Sequence, residues 1–83
     1  MQKRYLEQFI YVLQAAKDRG QMLNLLEGIL TPQELLEIPT RLEIVKRLKK
    51  GITQQKIAED LQVGIATVTR GSREIKRGQF KYV

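Results

Sequence analysis

Residues able to do chemistry are few in this chain and sit close together. There is no Cys and no His, which removes disulfides, thiolate sites, the common zinc-ligand sets and imidazole-based catalysis. What remains is hydrogen-bonding and cationic: Gln54 and Gln55, then Thr67, Thr69 and Arg70, then Arg73, Lys76 and Arg77. Glutamine amides bond phosphates or an adenine edge, and threonine hydroxyls reach bases or phosphates. Methyl-bearing side chains such as Ile65 and Ala66 touch a thymine methyl. The set is equipped to recognise a polyanion, and no enzymatic activity is expected from it.

Charge placement agrees. The net charge is +6, yet residues 1 to 40 sum to −1 and those from Arg41 onward to +7. A positive field confined to one half suits double-stranded nucleic acid. A membrane-surface helix fits less well, because the basic half lacks a broad apolar face with aromatic anchors. No apolar run approaches spanning length and no secretory pattern opens the chain, so a cytoplasmic protein with no membrane partner is expected. Eighty-three residues make one small domain of marginal stability. With disulfides and metal excluded, a second copy of the chain is the expected support.

These residues need elements to position them. Tyr5, Leu6, Phe9, Ile10, Leu13 and Ala16 have helical spacing, with Gly20 as a stop. Met22, Leu23, Leu25, Leu26, Ile29 and Leu30 crowd most of a second helix's circumference, which calls for cover on several sides. Thr31-Pro32-Gln33-Glu34 reads as a capping box, and Thr40-Arg41-Leu42-Glu43 repeats the spacing. Pro39 leaves two options: helices over Pro32 to Ile38 and Arg41 to Lys50, or one helix kinked at Pro39. Leu42, Ile44, Val45 and Leu48 form the expected buried stripe, ended by Gly51. Thr53 then caps a short helix, Gln54 to Leu61. Gln62-Val63-Gly64 turns the chain, and a second helix runs from Ile65 to Lys76. The small Ala58 allows these two helices to approach closely, as in a helix-turn-helix whose second helix enters the major groove. Gln62 stands where glycine is usual. The tail, residues 78 to 83, either packs back through Phe80 and Tyr82, lies along phosphates or frays.

The predicted fold is therefore all-α, a small helical bundle with a helix-turn-helix. Residues 1 to 50 form a dimerisation core, 51 to 77 the helix-turn-helix, and 78 to 83 a basic aromatic tail.

The run Gly64-Ile65-Ala66-Thr67-Val68-Thr69-Arg70-Gly71-Ser72, with Leu30-Thr31-Pro32, Thr40-Arg41 and Ile44-Val45 before it, resembles the Trp repressor family. The resemblance runs from about Leu25 to Lys76. It implies an intertwined homodimer whose reading helices enter successive major grooves of an operator, with L-tryptophan as corepressor. By the same resemblance the indole lies between Arg41 and Arg70, Gly71 lies close to the ligand, and Thr67 lines its pocket. Carbonyls near Gly28 and Leu30, with Thr31, hold the ammonium from the other subunit. The DNA positions are Gln54, Gln55, Ala58, Ile65, Ala66, Thr69, Arg73 and Lys76.

The chain departs from the family pattern in several places. Gln55 and Ala58 stand where basic residues are typical, Pro39 replaces a glycine, one residue is missing between Gly51 and Thr53, and the family's last helix has no counterpart. Glu74 occupies the place of a small hydroxyl residue near the ligand, where its charge repels a carboxylate or alters ligand choice. A sequence-specific, tryptophan-responsive transcriptional repressor is the leading expectation. The alternatives are a ligand-independent regulator, one responding to another small molecule, and a DNA-recognition module of a transposition system.

Overall fold

Five helices carry the regular structure of residues 3–83, the range that the computed structural model describes: α1 (Lys3–Ala15), α2 (Arg19–Ile29), α3 (Pro32–Lys49), α4 (Gln54–Leu61) and α5 (Ile65–Lys76). No strand occurs among the described residues. The chain packs as two units, one reaching to Leu35 and the other running from Leu36 to Val83.

In the first unit, the break between α1 and α2 is set by Asp18 and not by Gly20. The Asp18 carboxylate accepts from the Gln21 amide at 2.9 Å, while the Gln21 side chain accepts from the Lys17 amide at 2.8 Å. Gly20 falls inside the first turn of α2. A capping aspartate satisfies the free amides of a helix start, which a glycine stop does not. The capping box at the start of α3 forms in both directions: the Glu34 amide donates to Thr31 Oγ1 at 3.1 Å and the Thr31 amide to Glu34 Oε1 at 2.8 Å. No described residue of this unit is buried. Tyr5, Leu6, Ile10, Tyr11, Val12, Leu23 and Ile29 all stay exposed. The amphipathic spacing is real, but one chain alone leaves these stripes uncovered.

α3 is a single helix that continues through Pro39, so the two-helix option is excluded. Proline removes the amide that would bond the Leu35 carbonyl, at a cost of about 3 kcal/mol. The second capping box does not form, because Thr40 lies in mid-helix. Its hydroxyl donates back to the Leu36 carbonyl at 2.7 Å, and Glu43 instead accepts from Arg47 Nε at 2.8 Å.

The core of the second unit is Ile44, Ile57 and Val68, with Leu48, Ile52, Ala58, Leu61 and Val63 packed against it and Val45 also buried. Leu42 departs from the expected stripe and is exposed. Arg47 also reaches Asp60 Oδ2 of α4 at 3.9 Å, beside the Lys56–Asp60 pair at 3.2 Å.

Three helix ends share one hydrogen-bond pattern, in which two amides just past the end turn back to carbonyls three and five residues earlier. At the end of α3 the pairs are Gly51 to Leu48 (3.0 Å) and Ile52 to Arg47 (3.2 Å). After α4 they are Gln62 to Glu59 (3.3 Å) and Val63 to Ala58 (3.1 Å), and after α5 Gly78 to Ile75 and Gln79 to Glu74 (both 3.0 Å). The pivot needs a left-handed backbone, which Gly51 adopts at φ +86 and Gly78 at φ +95. Gln62 adopts it at φ 56 despite its Cβ.

Candidate nucleic-acid interface and adjoining cavity

α4 and α5 pack on each other through Ile57, Ala58 and Val68. The small side chain at Ala58 permits the close approach that the sequence predicts. Thr53 caps α4 by accepting from the Lys56 amide at 3.3 Å. Gly64 opens α5 with extended backbone and no side-chain cap.

One bond ties the two helices together on their outer side. The Thr69 hydroxyl donates to Gln54 Oε1 at 2.8 Å. Both residues were expected to face DNA, and both are half-buried in this contact. Gln54 still offers its NH₂ donors and Thr69 its oxygen lone pairs. Gln55 is exposed, 3.5 Å from Glu59 across one turn, and Ala58 is half-buried as a packing residue.

Along α5, Ile65, Ala66, Thr67, Arg70, Arg73 and Lys76 are exposed. Ile65 keeps half its surface open to solvent, an unpacked apolar side chain on the first turn of the helix.

On the other side of α5 lies a cavity of about 210 Å³. α3 contributes Arg41, Ile44 and Val45, α5 contributes Thr67, Arg70, Gly71 and Glu74, and the tail contributes Phe80. The structure therefore gathers four of the seven expected ligand residues, Arg41, Arg70, Gly71 and Thr67. Gly28, Leu30 and Thr31 belong to the first unit: Gly28 within α2, Leu30 at its C-cap, and Thr31 engaged in the capping box. Gly71 sets the floor. A Cβ there would stand 3.4 Å from Ile44 Cγ2 and 3.5 Å from Leu48 Cδ1, ordinary contact distances, so the glycine leaves bare backbone at the cavity floor without being required for α5 to lie against α3.

Phe80 is the cavity residue that sequence reasoning left undecided. The positive φ at Gly78 and the turn that follows fold the tail back, and Lys49 Nζ donates to the Phe80 carbonyl and, at 3.1 Å, to that of Val83. The available signal was an aromatic residue two positions after a helix-ending glycine.

The cavity walls carry two guanidinium groups and one carboxylate. Glu74, half-buried, also meets Arg77 Nη1 at 3.5 Å. Elsewhere, the Arg47 hydrogen bond, reinforced by the charges of Arg47, Lys46 and Lys50, holds the Glu43 carboxyl below its ordinary value. Among the described residues there is no group of acidic side chains able to hold a metal ion, and no helix is long and apolar enough to cross a membrane.

Two helices joined by a three-residue turn, with a basic and methyl-bearing outer face on the second, define a helix-turn-helix DNA-binding protein. A family model described as Trp repressor protein matches residues 4–83. The chain is 38% identical over 71 residues to a Trp operon repressor homolog of Vibrio campbellii, covering 84% of this chain and 71% of that protein. It is 39% identical over 77 residues to the homolog of Pasteurella multocida, covering 88% and 76%. To that of Mannheimia succiniciproducens it is 42% identical over 69 residues, covering 82% and 68%. The chain belongs to the Trp repressor family. It is accordingly a DNA-binding transcriptional repressor and not an enzyme.

Proposed function

We propose that the chain works as a homodimer that binds an operator with two α5 helices and responds to tryptophan bound in the α3–α5 cavity. The observation that carries this reading is the double use of α5. Ile65, Ala66, Thr69, Arg73 and Lys76 lie on the helix that also supplies Thr67, Arg70, Gly71 and Glu74 to the cavity. Guanidinium planes stack on aromatic faces, and Arg also pairs with a carboxylate. A ligand held there favours the head orientation that fits grooves about one helical turn apart, and raises operator affinity by its preference for that state. The uncovered apolar stripes of α1 and α2 support the homodimer. Gly28, Leu30 and Thr31 would then come from the second copy, and a cytoplasmic location belongs to the same reading.

The chain contains no Trp, so fluorescence excited at the indole reports added tryptophan alone. Saturable binding that Arg70→Ala abolishes is expected. No saturation at millimolar tryptophan would remove the corepressor while leaving DNA binding intact. Sedimentation should show a dimer at micromolar concentration, and selection from random duplexes should enrich a palindrome. Glu74 and Phe80 in the cavity wall favour a second reading, in which another small molecule is sensed or none is. Binding of operator at full affinity without any ligand would establish the ligand-free form.

A further inference from the structure

We propose that the tail, residues 78–83, is an internal latch that fastens the C-terminal end of α5 to α3, so that the chain itself holds the orientation of its DNA-reading helix. Phe80 and Lys49 are the latch's points of hold. Its effect on DNA rests on the operator reading above, and it needs no ligand in the cavity.

α5 packs broadly on α4 and only narrowly on α3, where Gly71 lies beside Ile44 and Leu48. A helix held at one place along its length can still pivot about it. The tail supplies a second place. Gln79, Lys81, Tyr82 and Val83 are exposed, whereas Phe80 is half-buried, in a cavity wall that it shares with Ile44 and Val45 of α3 and with Arg70 and Gly71 of α5. Lys49, in the last turn of α3, donates from Nζ to the Phe80 carbonyl and, at 3.1 Å, to that of Val83. The link back to α5 has little slack, because the Gly78 and Gln79 amides turn back to the Ile75 and Glu74 carbonyls, both at 3.0 Å. Phe80 itself stands at φ 62. A left-handed backbone is strained for a bulky side chain and persists where the surroundings enforce it. Lysine bonds at an exposed site add modestly, so the main hold is the apolar contact of the Phe80 ring. About 210 Å³ stays open beside the ring, so the latched tail forms part of the cavity wall and does not fill the cavity.

The test uses the full chain with no ligand added. Amide nitrogen relaxation of the unmodified protein should give Gln79 to Tyr82 order parameters like those of α5, and Phe80→Ala should lower them to those of a loose end. Tail amides already mobile in the unmodified protein would overturn the latch, and that readout needs no variant. On a duplex enriched from a random pool, Phe80→Ala should weaken binding about tenfold, the loss expected when the competent orientation falls to roughly a tenth of the population. Phe80→Leu, which keeps an apolar side chain, should lose much less. The salt slope should stay unchanged, because Phe80 neutralises no phosphate, and circular dichroism checks that both variants remain helical. Undiminished affinity in Phe80→Ala would overturn the latch. So would a shallower salt slope, which would place the tail on the DNA. If the unmodified protein enriches no duplex, the operator reading fails and the relaxation data alone decide the latch.

Discussion

The Thr69 hydroxyl sits 2.8 Å from Gln54 Oε1, joining the second turn of α5 to the first residue of α4. The bond fixes how α5 is rotated over α4, and so which α5 side chains face outward. Thr69→Val keeps the branched shape and deletes the donor. A loss of about 1 kcal/mol in urea unfolding is expected, the usual worth of one such bond. A double-mutant cycle with Gln54→Ala should return a coupling of the same size, and a coupling near zero would mean the bond contributes nothing.

Gln62 holds a left-handed backbone, φ 56 and ψ 46, at the end of α4. A side chain there costs on the order of 1 kcal/mol relative to glycine, partly offset by the freedom glycine adds to the unfolded chain. Gln62→Gly should raise stability by roughly 0.5–1 kcal/mol, while Gln62→Ala should bring no such gain because the Cβ remains. Chemical denaturation of both variants distinguishes conformational relief from loss of the amide.

Gly71 costs helix propensity, and a Cβ there would lie at ordinary contact distance from Ile44 and Leu48. Gly71→Ala is therefore expected to stabilise the fold by up to about 1 kcal/mol. The same methyl group would enter the cavity wall, so tryptophan affinity should fall. A melt and a ligand titration moving in opposite directions would confirm that the glycine is kept for the cavity; a rise in both would refute it.

Acid should weaken the second unit through Glu43. Its folded-state pKa lies below the ordinary value of 4.5, chiefly through the Arg47 hydrogen bond. The contribution is fully present above the unfolded-state pKa and is lost as pH falls through the depressed folded value. Glu43→Gln should leave a flatter stability profile below about pH 4.5. Denaturant midpoints between pH 3 and 6 measure it.

Arg73 and Lys76 are exposed on the last two turns of α5, where they can meet phosphates. Replacing either with Ala should weaken binding about equally across DNA sequences and lower the salt slope by about 1. Replacing Ile65 should instead change base preference. A sequence-dependent loss for Arg73→Ala would reassign it to base reading.

Where the determinants are local, the sequence was legible. The Thr31 and Thr53 caps, the Gly51 stop and the bounds of α4 and α5 each depend on residues within a few positions, whereas the sequence left α3 open between one helix and two. Gly20 misled because glycine is permissive without being a stop signal, whereas Asp18 supplies a side-chain acceptor. Pro39 and Thr40 misled for a related reason. Both are favoured at helix starts, yet the following stretch buries Ile44 and Val45 in the core, and that packing keeps the helix intact. For the cavity, Arg41 and Arg70 were placed by family likeness. For Phe80 the local signal, an aromatic residue just past a helix-ending glycine, showed only that the tail could turn back; the Lys49 contact that holds it is 31 residues away in the chain.

The shared pattern at the three helix ends has a consequence for the order of assembly. Each stop is closed by hydrogen bonds that span five residues or fewer, so α3, α4 and α5 can find their lengths before meeting one another. Docking α5 against α3 then becomes the slow, long-range event, and low contact order of this kind goes with folding in microseconds to milliseconds. A nascent chain would therefore hide Ile57 and Val68 quickly, which shortens the interval in which they are open to chaperones or to aggregation.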